Sequence, residues 1–382
     1  MRKTQENKKA KRRGSLTIIF AICVGVILGF CMGNYINTFT TSGDNLSTVL
    51  LAWIVGVYFG VILQTVIHEA GHLVFGLLTG YRFLSFRIGS FMWIKKDGKL
   101  HYCQLSLAGT GGQCLMIPPD LVDGKMPTML YNFGGSIFNL LSALAFLGLS
   151  ALFANDVFWH IVFVGNTLCA VILSATNGIP MRLNSVDNDG YNAYSVMRSP
   201  EAMRALWIQL KVSEHITKGV RLKDMPEEWF AVPDDATMHN SMVAAVGVFA
   251  CNRLMDEWRF QKADALMKHL LEIDSGIIGI HRALLTCDRM FCEMITQNRQ
   301  EIVDAMLDKQ QKNYMKAMKQ NPTVIRTQYV YELLVKKNVA AAQAAAKCFD
   351  KYTRQYPYPE EVTAERELMR IADTRFQQMQ VN

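Results

Sequence analysis

The sequence predicts a polytopic α-helical membrane protein of about four transmembrane helices, with a small cytoplasmic β-hairpin insertion and an all-α C-terminal domain. The first observation is composition: half of the 382 residues are hydrophobic and only 19% are charged, which disfavours a disordered chain and an ordinary soluble enzyme. The second is distribution. Four long apolar runs lie between residues 15 and 181, whereas residues 195–382 carry charge at the density of a globular domain.

The third observation is a basic N-terminus. Seven of the first thirteen residues are Lys or Arg, and they directly precede the first apolar run. Basic residues mark the cytoplasmic flank of a membrane helix, so residues 1–14 are predicted to be a basic cytoplasmic tail. This placement explains the net charge of +7 and argues against nucleic acid as a partner.

The apolar runs predict transmembrane helices at about residues 15–36, 48–79, 129–154 and 157–181, each long enough to cross a hydrocarbon core of roughly 30 Å. No small-x-small cleavage site stands out in the first run, which is therefore interpreted as an uncleaved helix and not as a signal peptide. The loop 37–47 has no basic residue, whereas the segment 81–127 has six. This charge pattern places both termini in the cytoplasm.

The region 81–113 has the pattern of a β-hairpin, with apolar residues on either side of a Lys96-Asp97-Gly98 turn. An extended peptide can add to a free sheet edge, so this hairpin could hold a substrate strand. The alternative is a structural flap followed by a flexible glycine linker, and the sequence leaves both interpretations open.

Residues 195–382 are predicted to form a cytoplasmic, repeat-like helical domain. Apolar residues recur at helical spacing, and antiparallel helix pairs recur at roughly forty residues. The pattern fits either a degenerate array of the tetratricopeptide kind or an irregular helical bundle. Nine cysteines without a C-x-x-C pair indicate free thiols in a reducing compartment.

The clearest chemical signal is the run His68-Glu69-Ala70-Gly71-His72 inside the second apolar segment. Positions i and i+4 share one face of a helix, so both imidazoles can bind one metal ion, and Glu69 is placed as general base on a bound water. Zn²⁺ suits this set, because it accepts three protein ligands plus water. Ionisable residues in a membrane segment are costly unless they face a cavity or each other. A polar cluster there without a function would be an unexplained penalty, which strengthens the prediction.

A third protein ligand must come from another part of the chain. The fourth apolar run is followed by Asp187 and Asp189, on the same predicted side of the membrane as the histidines. Asp189 precedes Gly190, which permits a close turn beside a metal. Both aspartates remain candidates on this reasoning.

These residues together resemble the site-2 protease family of intramembrane zinc metalloproteases. The resemblance covers about residues 48–192, within a membrane metalloprotease domain of residues 15–192. It rests on the histidine motif, on Asn177-x-x-Pro180 with Asp189-Gly190, and on Gly134-Gly135-Ser136-Ile137-Phe138-Asn139, which is similar to the family's glycine-and-asparagine motif.

The resemblance implies a role for each matching position. His68, His72 and Asp189 correspond to the zinc ligands, Glu69 to the catalytic glutamate, and Asn139 to an asparagine that positions substrate or transition state. Eight residues separate Pro180 from Asp189 where the family has about four, which keeps Asp187 open as the third ligand.

The sequence thus predicts a zinc metalloendopeptidase with Zn²⁺ as cofactor, acting in or beside the transmembrane segment of a membrane protein or on a leader-type peptide. The lipid bilayer and a protein bound by the C-terminal helices are its other expected partners. The compact size fits a bacterial plasma membrane, and an organelle membrane fits as well. The main alternative is a catalytically inactive membrane receptor or scaffold, and a metal transporter is a second alternative with little support.

Overall fold

The computed structural model of the protein describes residues 45–107, 110–182 and 187–381, together with residues 25–26, 29–30, 32–34 and 37–38, which are helical. The basic tail 1–14 lies outside the described residues, and so does most of the first predicted membrane helix, 15–36. The chain divides into two compact units. The first comprises residues 1–82, 111–114 and 127–194, and the second residues 83–110, 115–126 and 195–382.

Three long apolar helices form the described part of the first unit. They are α1 (Leu46–Leu78), α2 (Met129–Leu152) and α3 (Val157–Gly178), and each is long and apolar enough to cross a membrane. The predicted segments 48–79, 129–154 and 157–181 are therefore confirmed as apolar helices to within a few residues. A short helix, α4 (Asp189–Arg198), follows α3.

Glycines allow these helices to approach each other closely. A Cβ added at Gly71 of α1 would collide with the backbone of Gly134 in α2, and a Cβ at Gly56 would lie 2.9 Å from the carbonyl oxygen of Val162 in α3. Small residues at such crossings let membrane helices pack backbone to backbone. The contact at Gly71 lies within the histidine motif and brings α2 directly against it.

Ten polar side chains of the three helices are buried, whereas many large apolar side chains are exposed. This is the reverse of a soluble helix bundle and is expected for helices surrounded by lipid, where an unpaired polar group is costly. The buried polar residues of α1, α2 and α3 are Gln64, His68, Glu69, His72, Asn132, Ser136, Asn139, Ser150, Asn166 and Ser174.

A four-stranded sheet has the strand order β3-β2-β1-β4. Its strands are β1 (Arg82–Ile88), β2 (Phe91–Lys96), β3 (Lys99–Gln104) and β4 (Gly112–Ile117), and both the β1–β2 and β2–β3 pairs are antiparallel. The predicted turn is present, with Asp97 and Gly98 at φ of 49° and 77°, values that suit a two-residue hairpin turn. The expected hairpin is thus β2–β3, and it is half of a larger sheet.

The remainder of the second unit is helical. Its helices are α5 (Pro200–Thr217), α6 (Ser241–Asp256), α7 (Phe260–Glu272), α8 (Gly279–Ile295), α9 (Gln300–Met306), α10 (Lys309–Ala317), α11 (Pro322–Val330), α12 (Val339–Thr353) and α13 (Pro359–Val381). A π-helical segment, Tyr331–Val335, continues α11. The all-α character predicted for residues 195–382 is confirmed.

The roughly forty-residue recurrence is visible in the backbone. Residues with positive φ occur at Gly219, Trp258, Asn298 and Lys337, that is, every 39–40 residues. A new helix starts two residues after each of the last three, at Phe260, Gln300 and Val339. Each such residue lies between two consecutive helical segments, in the left-handed conformation that commonly ends a helix. The tetratricopeptide identity of these pairs stays a prediction.

The carboxyl group of Glu361, in α13, has an unusual environment. Burial raises its pKa, the hydrogen bond donated by the Tyr356 hydroxyl (3.1 Å) lowers it, and the charge of Glu365 raises it again. Because burial and Glu365 together prevail, the pKa of Glu361 is raised to about 7.

Candidate metal centre

His68 and His72 lie one helical turn apart in the buried part of α1. The two rings meet edge to face with centroids 4.8 Å apart, and their Nε2 atoms are 3.1 Å from each other. This follows from the i, i+4 spacing, which puts both side chains on the same face of the helix. The absence of a side chain at Gly135 of α2 makes room for the His68 ring, because a Cβ there would overlap it.

The Nδ1 atom of each ring faces an oxygen acceptor. His72 Nδ1 lies 2.7 Å from the backbone carbonyl oxygen of Tyr131, and His68 Nδ1 lies 2.8 Å from Oδ1 of Asn139. Each Nδ1 therefore carries the proton and donates it to these acceptors. In the neutral form, both Nε2 atoms then present their lone pairs to the space between the rings.

Asp189 completes the cluster. Its Oδ2 atom lies 3.0 Å from Nε2 of His68 and 3.3 Å from Nε2 of His72. It is the first residue of α4, and the preceding residue, Asn188, fixes the chain there. The Asn188 side chain donates to the carbonyl oxygens of Thr176 and Ile179 at 2.7 and 2.6 Å and accepts from the Tyr191 amide at 2.9 Å.

The start of α4, which carries Asp189, also needs Gly190. A Cβ at Gly190 would overlap the carbonyl group of Gly178 at the end of α3. The glycine after the aspartate therefore permits α4 to start directly against the end of α3. The close backbone approach expected at this glycine is present, but it occurs inside a helix and not in a turn.

The cluster has a clear electrostatic requirement. Its three facing atoms are two imidazole nitrogens and a carboxylate oxygen, all of which accept hydrogen bonds when unprotonated. A single proton on one ring satisfies one pair of these atoms, whereas a metal ion bonds all three at once. The His68–His72–Asp189 group can therefore hold a metal ion.

The charge balance at Asp189 agrees with this. Burial of the carboxyl group raises its pKa, but the positive charge of His72, when that ring is protonated, and hydrogen bonds from the histidine rings lower it more, so that the pKa lies well below its usual range. The carboxylate is consequently ionised, which is the form that ligates a metal.

Glu69 is buried next to the histidines and close to the first residue of β4. A Cβ at Gly112 would lie 2.5 Å from Oε1 of Glu69, so only glycine permits this approach without displacing the carboxylate. The backbone at Gly112 therefore lies beside the carboxylate.

The structure brings together four of the five predicted site residues, His68, His72, Asp189 and Asn139, and the fifth, Glu69, follows His68 in α1 and is buried. Asp187, the other candidate ligand, forms an ion pair with Arg182, with Nε and Oδ1 3.8 Å apart. Asp189 and not Asp187 faces the histidines.

Three contributors to the site were missed by the sequence reasoning. They are Gln64, Tyr131 and Asn188. Gln64 could have been predicted as a site residue, because it is a polar residue in an apolar run and lies four positions before His68, on the same helix face. Tyr131 acts through its backbone carbonyl, which no side-chain pattern reveals.

Comparison of the chain with protein-family models, curated proteins and solved structures gave no match. The geometry of the site therefore carries the functional argument.

Proposed function

We propose that this protein is an intramembrane zinc metalloendopeptidase. One observation supports the proposal most directly. The Nε2 atoms of His68 and His72 and the Oδ2 atom of Asp189 lie within 3.3 Å of one another among apolar helices, and Glu69 directly follows His68. This is the donor set of a catalytic metal site with one position left for water. The resemblance of the motifs to the site-2 protease family supports the same function.

Zinc is the proposed ion because of the ligand types and their spacing. Ligand atoms of a tetrahedral zinc site with bonds of about 2.0–2.1 Å are about 3.3 Å apart. The three distances here are 3.0, 3.1 and 3.3 Å. Two imidazoles and one carboxylate also suit zinc better than calcium or magnesium, which prefer oxygen ligands alone.

In the proposed reaction, the zinc ion and Glu69 have different roles. A divalent zinc ion supplies polarisation of the scissile carbonyl and a lowered pKa of the attacking water. Glu69 accepts a proton from that water and returns it to the leaving amine nitrogen, so that one carboxyl group acts first as base and then as acid. Burial of Glu69 among apolar helices keeps bulk water from competing for that proton.

The substrate is proposed to be a membrane protein or leader-type peptide that is cut in or beside its membrane segment. A peptide must be extended to reach such a site, and β4 offers a means of holding it. This strand is at one edge of the sheet, and its first residue, Gly112, contacts Glu69. Addition of a substrate strand to β4 would bring its backbone past the carboxylate.

The membrane arrangement follows the charge pattern of the loops. Three helices are apolar enough to span, and residues 15–36 are proposed as the fourth span. Both termini then lie in the cytoplasm of a bacterial cell, and the helical pairs of residues 195–382 bind the substrate or a regulatory protein.

The test uses the full-length protein purified in detergent, as wild type and as Glu69→Gln. Zinc is measured by mass spectrometry, and cleavage is followed as new N-termini in membrane proteins of a bacterial membrane preparation. We expect one zinc per chain in both proteins and new N-termini with wild type alone. The substitution should reduce the rate of cleavage by about 10²–10⁴-fold, because it removes the proton acceptor while leaving the size of the side chain nearly unchanged.

Two other results would overturn the proposal. Zinc in both proteins without any cleavage by wild type would favour the receptor or scaffold. A folded wild type that binds no metal would remove the metalloprotease mechanism. A chelator control with wild type separates zinc-dependent cuts from those of contaminating serine proteases.

A further inference from the structure

A buried polar chain extends from His68 away from the metal-binding side. His68 Nδ1 donates to Asn139 Oδ1 (2.8 Å), and Asn139 Nδ2 donates to both the backbone oxygen and Oε1 of Gln64, each at 2.9 Å. The hydroxyl of Ser142 donates to the same Oε1 at 2.7 Å. We propose that Asn139 and Gln64 are positioning residues that fix the proton and the ring orientation of His68 for metal binding. This inference rests on the proposed function.

The orientation of the Asn139 amide is determined by its neighbours. The backbone oxygen of Gln64 can only accept a hydrogen bond, so the Asn139 atom facing it must be the Nδ2 donor. Oδ1 then faces His68, and Nδ1 of that ring must carry the proton. The lone pair of Nε2 is thereby directed to His72 and Asp189, which is the tautomer that a metal requires.

Gln64, in the same helix as His68, stabilises this orientation of the Asn139 amide. It lies four residues before His68 in α1 and accepts from both Asn139 and Ser142. The Nε2 atom of Gln64 has no hydrogen-bond partner among the described residues. The side chain therefore lies in an orientation that satisfies its Oε1 atom, which accepts from Asn139 and Ser142, and not its Nε2 atom. A rotated Asn139 amide would place a donor against Nδ1 and force the proton of His68 onto Nε2.

Burial separates this role from contact with a substrate. Asn139 and Gln64 are both 0% exposed, and both lie on the Nδ1 side of the ring. A group with no accessible surface cannot bind a substrate directly. The effect of Asn139 on cleavage is therefore transmitted through His68.

The two histidines differ in how they are oriented. The acceptor for His72 is a backbone oxygen, that of Tyr131, and no substitution removes it. The acceptor for His68 is a side chain. Substitutions at 139 and 64 should therefore weaken the metal site through one ligand only.

The decisive measurement is zinc affinity of the full-length protein in detergent, by competition with chelators of graded strength. Asn139→Ala should lower affinity by about 10–100-fold, the usual effect of removing a partner of a metal-bound histidine. Gln64→Met should lower it by a smaller factor, because the backbone oxygen of residue 64 still accepts from Asn139.

The matched control is Asn166→Ala. Asn166 is another buried asparagine whose Nδ2 donates to a carbonyl oxygen of α1, that of Gly56, at 3.3 Å, and it also donates within α3 to Val162. It has the same kind of interhelical contact as Asn139 without the contact to a histidine. Its replacement should leave zinc affinity unchanged even where it lowers thermal stability.

The outcomes distinguish this inference from the proposed function. If wild type binds zinc and Asn139→Ala binds it as tightly as Asn166→Ala does, the positioning role is overturned while the metalloprotease remains. An increase in KM at unchanged zinc affinity would likewise overturn it in favour of substrate contact. If folded wild type binds no zinc, both proposals fail. The d–d spectrum of the cobalt-substituted protein should shift with Asn139→Ala and stay unchanged with Asn166→Ala.

Discussion

Substitution of Gly135 by alanine should displace His68 and weaken metal binding. A Cβ at this position would lie 2.5 Å from both Nδ1 and Nε2 of the His68 ring, whereas ordinary van der Waals contact starts at 3.4 Å. The ring must therefore move by about 1 Å, or α2 must move away from α1 by the same amount. The hydrogen bond from Nδ1 to Asn139 opposes the first movement, and the second would lose the close packing of Gly134 against Gly71.

The expected magnitude follows from this displacement. Loss of the correct orientation of a metal-bound histidine costs up to about 10²-fold in metal affinity. For zinc affinity this corresponds to about 2.7 kcal/mol. Crowding of α2 against α1 should in addition lower the free energy of unfolding by about 1–3 kcal/mol.

Gly148→Ala supplies the comparison within the same helix. No atom lies within 4 Å of a Cβ at Gly148, so the added methyl group meets open space. This variant should bind zinc like wild type, and its helix should be stabilised slightly by the loss of glycine. Chelator competition and thermal unfolding of the three purified proteins measure both quantities. Equal zinc affinity of Gly135→Ala and Gly148→Ala would refute the reasoning.

Three further predictions concern other parts of the chain. Asp189→Ala should lose the zinc that Asp187→Ala retains, measured as metal per chain; the reverse result would reassign the third ligand. Gly112→Val should keep zinc but reduce cleavage, because the new side chain displaces the carboxylate of Glu69; unaltered kcat would contradict the contact seen here. The folded state of the helical unit binds the Glu361 proton more tightly than the unfolded chain does, so its stability should fall as pH rises from about 4.5 to about 7, by up to about 3 kcal/mol. Glu361→Gln should remove that part of the pH dependence of thermal unfolding, and an unchanged pH profile would argue against the raised pKa.

The sequence alone determined the apolar helices and two of the three side chains of the candidate metal site. A run of apolar residues is sufficient to predict a membrane helix, because the bilayer permits few alternatives for an unpaired backbone. His68 and His72 were predictable because their spacing is local: one helical turn puts both rings on one face. The Asp97-Gly98 turn was predictable for a similar reason, since its residues themselves favour positive φ.

The third ligand and the approach of β4 to Glu69 became clear only from the tertiary structure, because both depend on residues that are distant in sequence. The choice between Asp187 and Asp189 depended on how Asn188 fixes the chain at the end of α3, which spacing along the sequence did not reveal. The strand β4 and its approach to Glu69 depended on sheet pairing, which joins segments separated by a loop.

The partners of the histidine rings also emerged only from the folded chain. A sequence shows that two imidazoles share a face, but the proton of each ring is set by the group opposite its Nδ1 atom. For His68 that group is Asn139, 71 residues away, and for His72 it is a backbone oxygen 59 residues away. Local periodicity fixes which side chains point together, whereas the packing of α2 against α1 fixes which nitrogen of each ring is left to bind a metal.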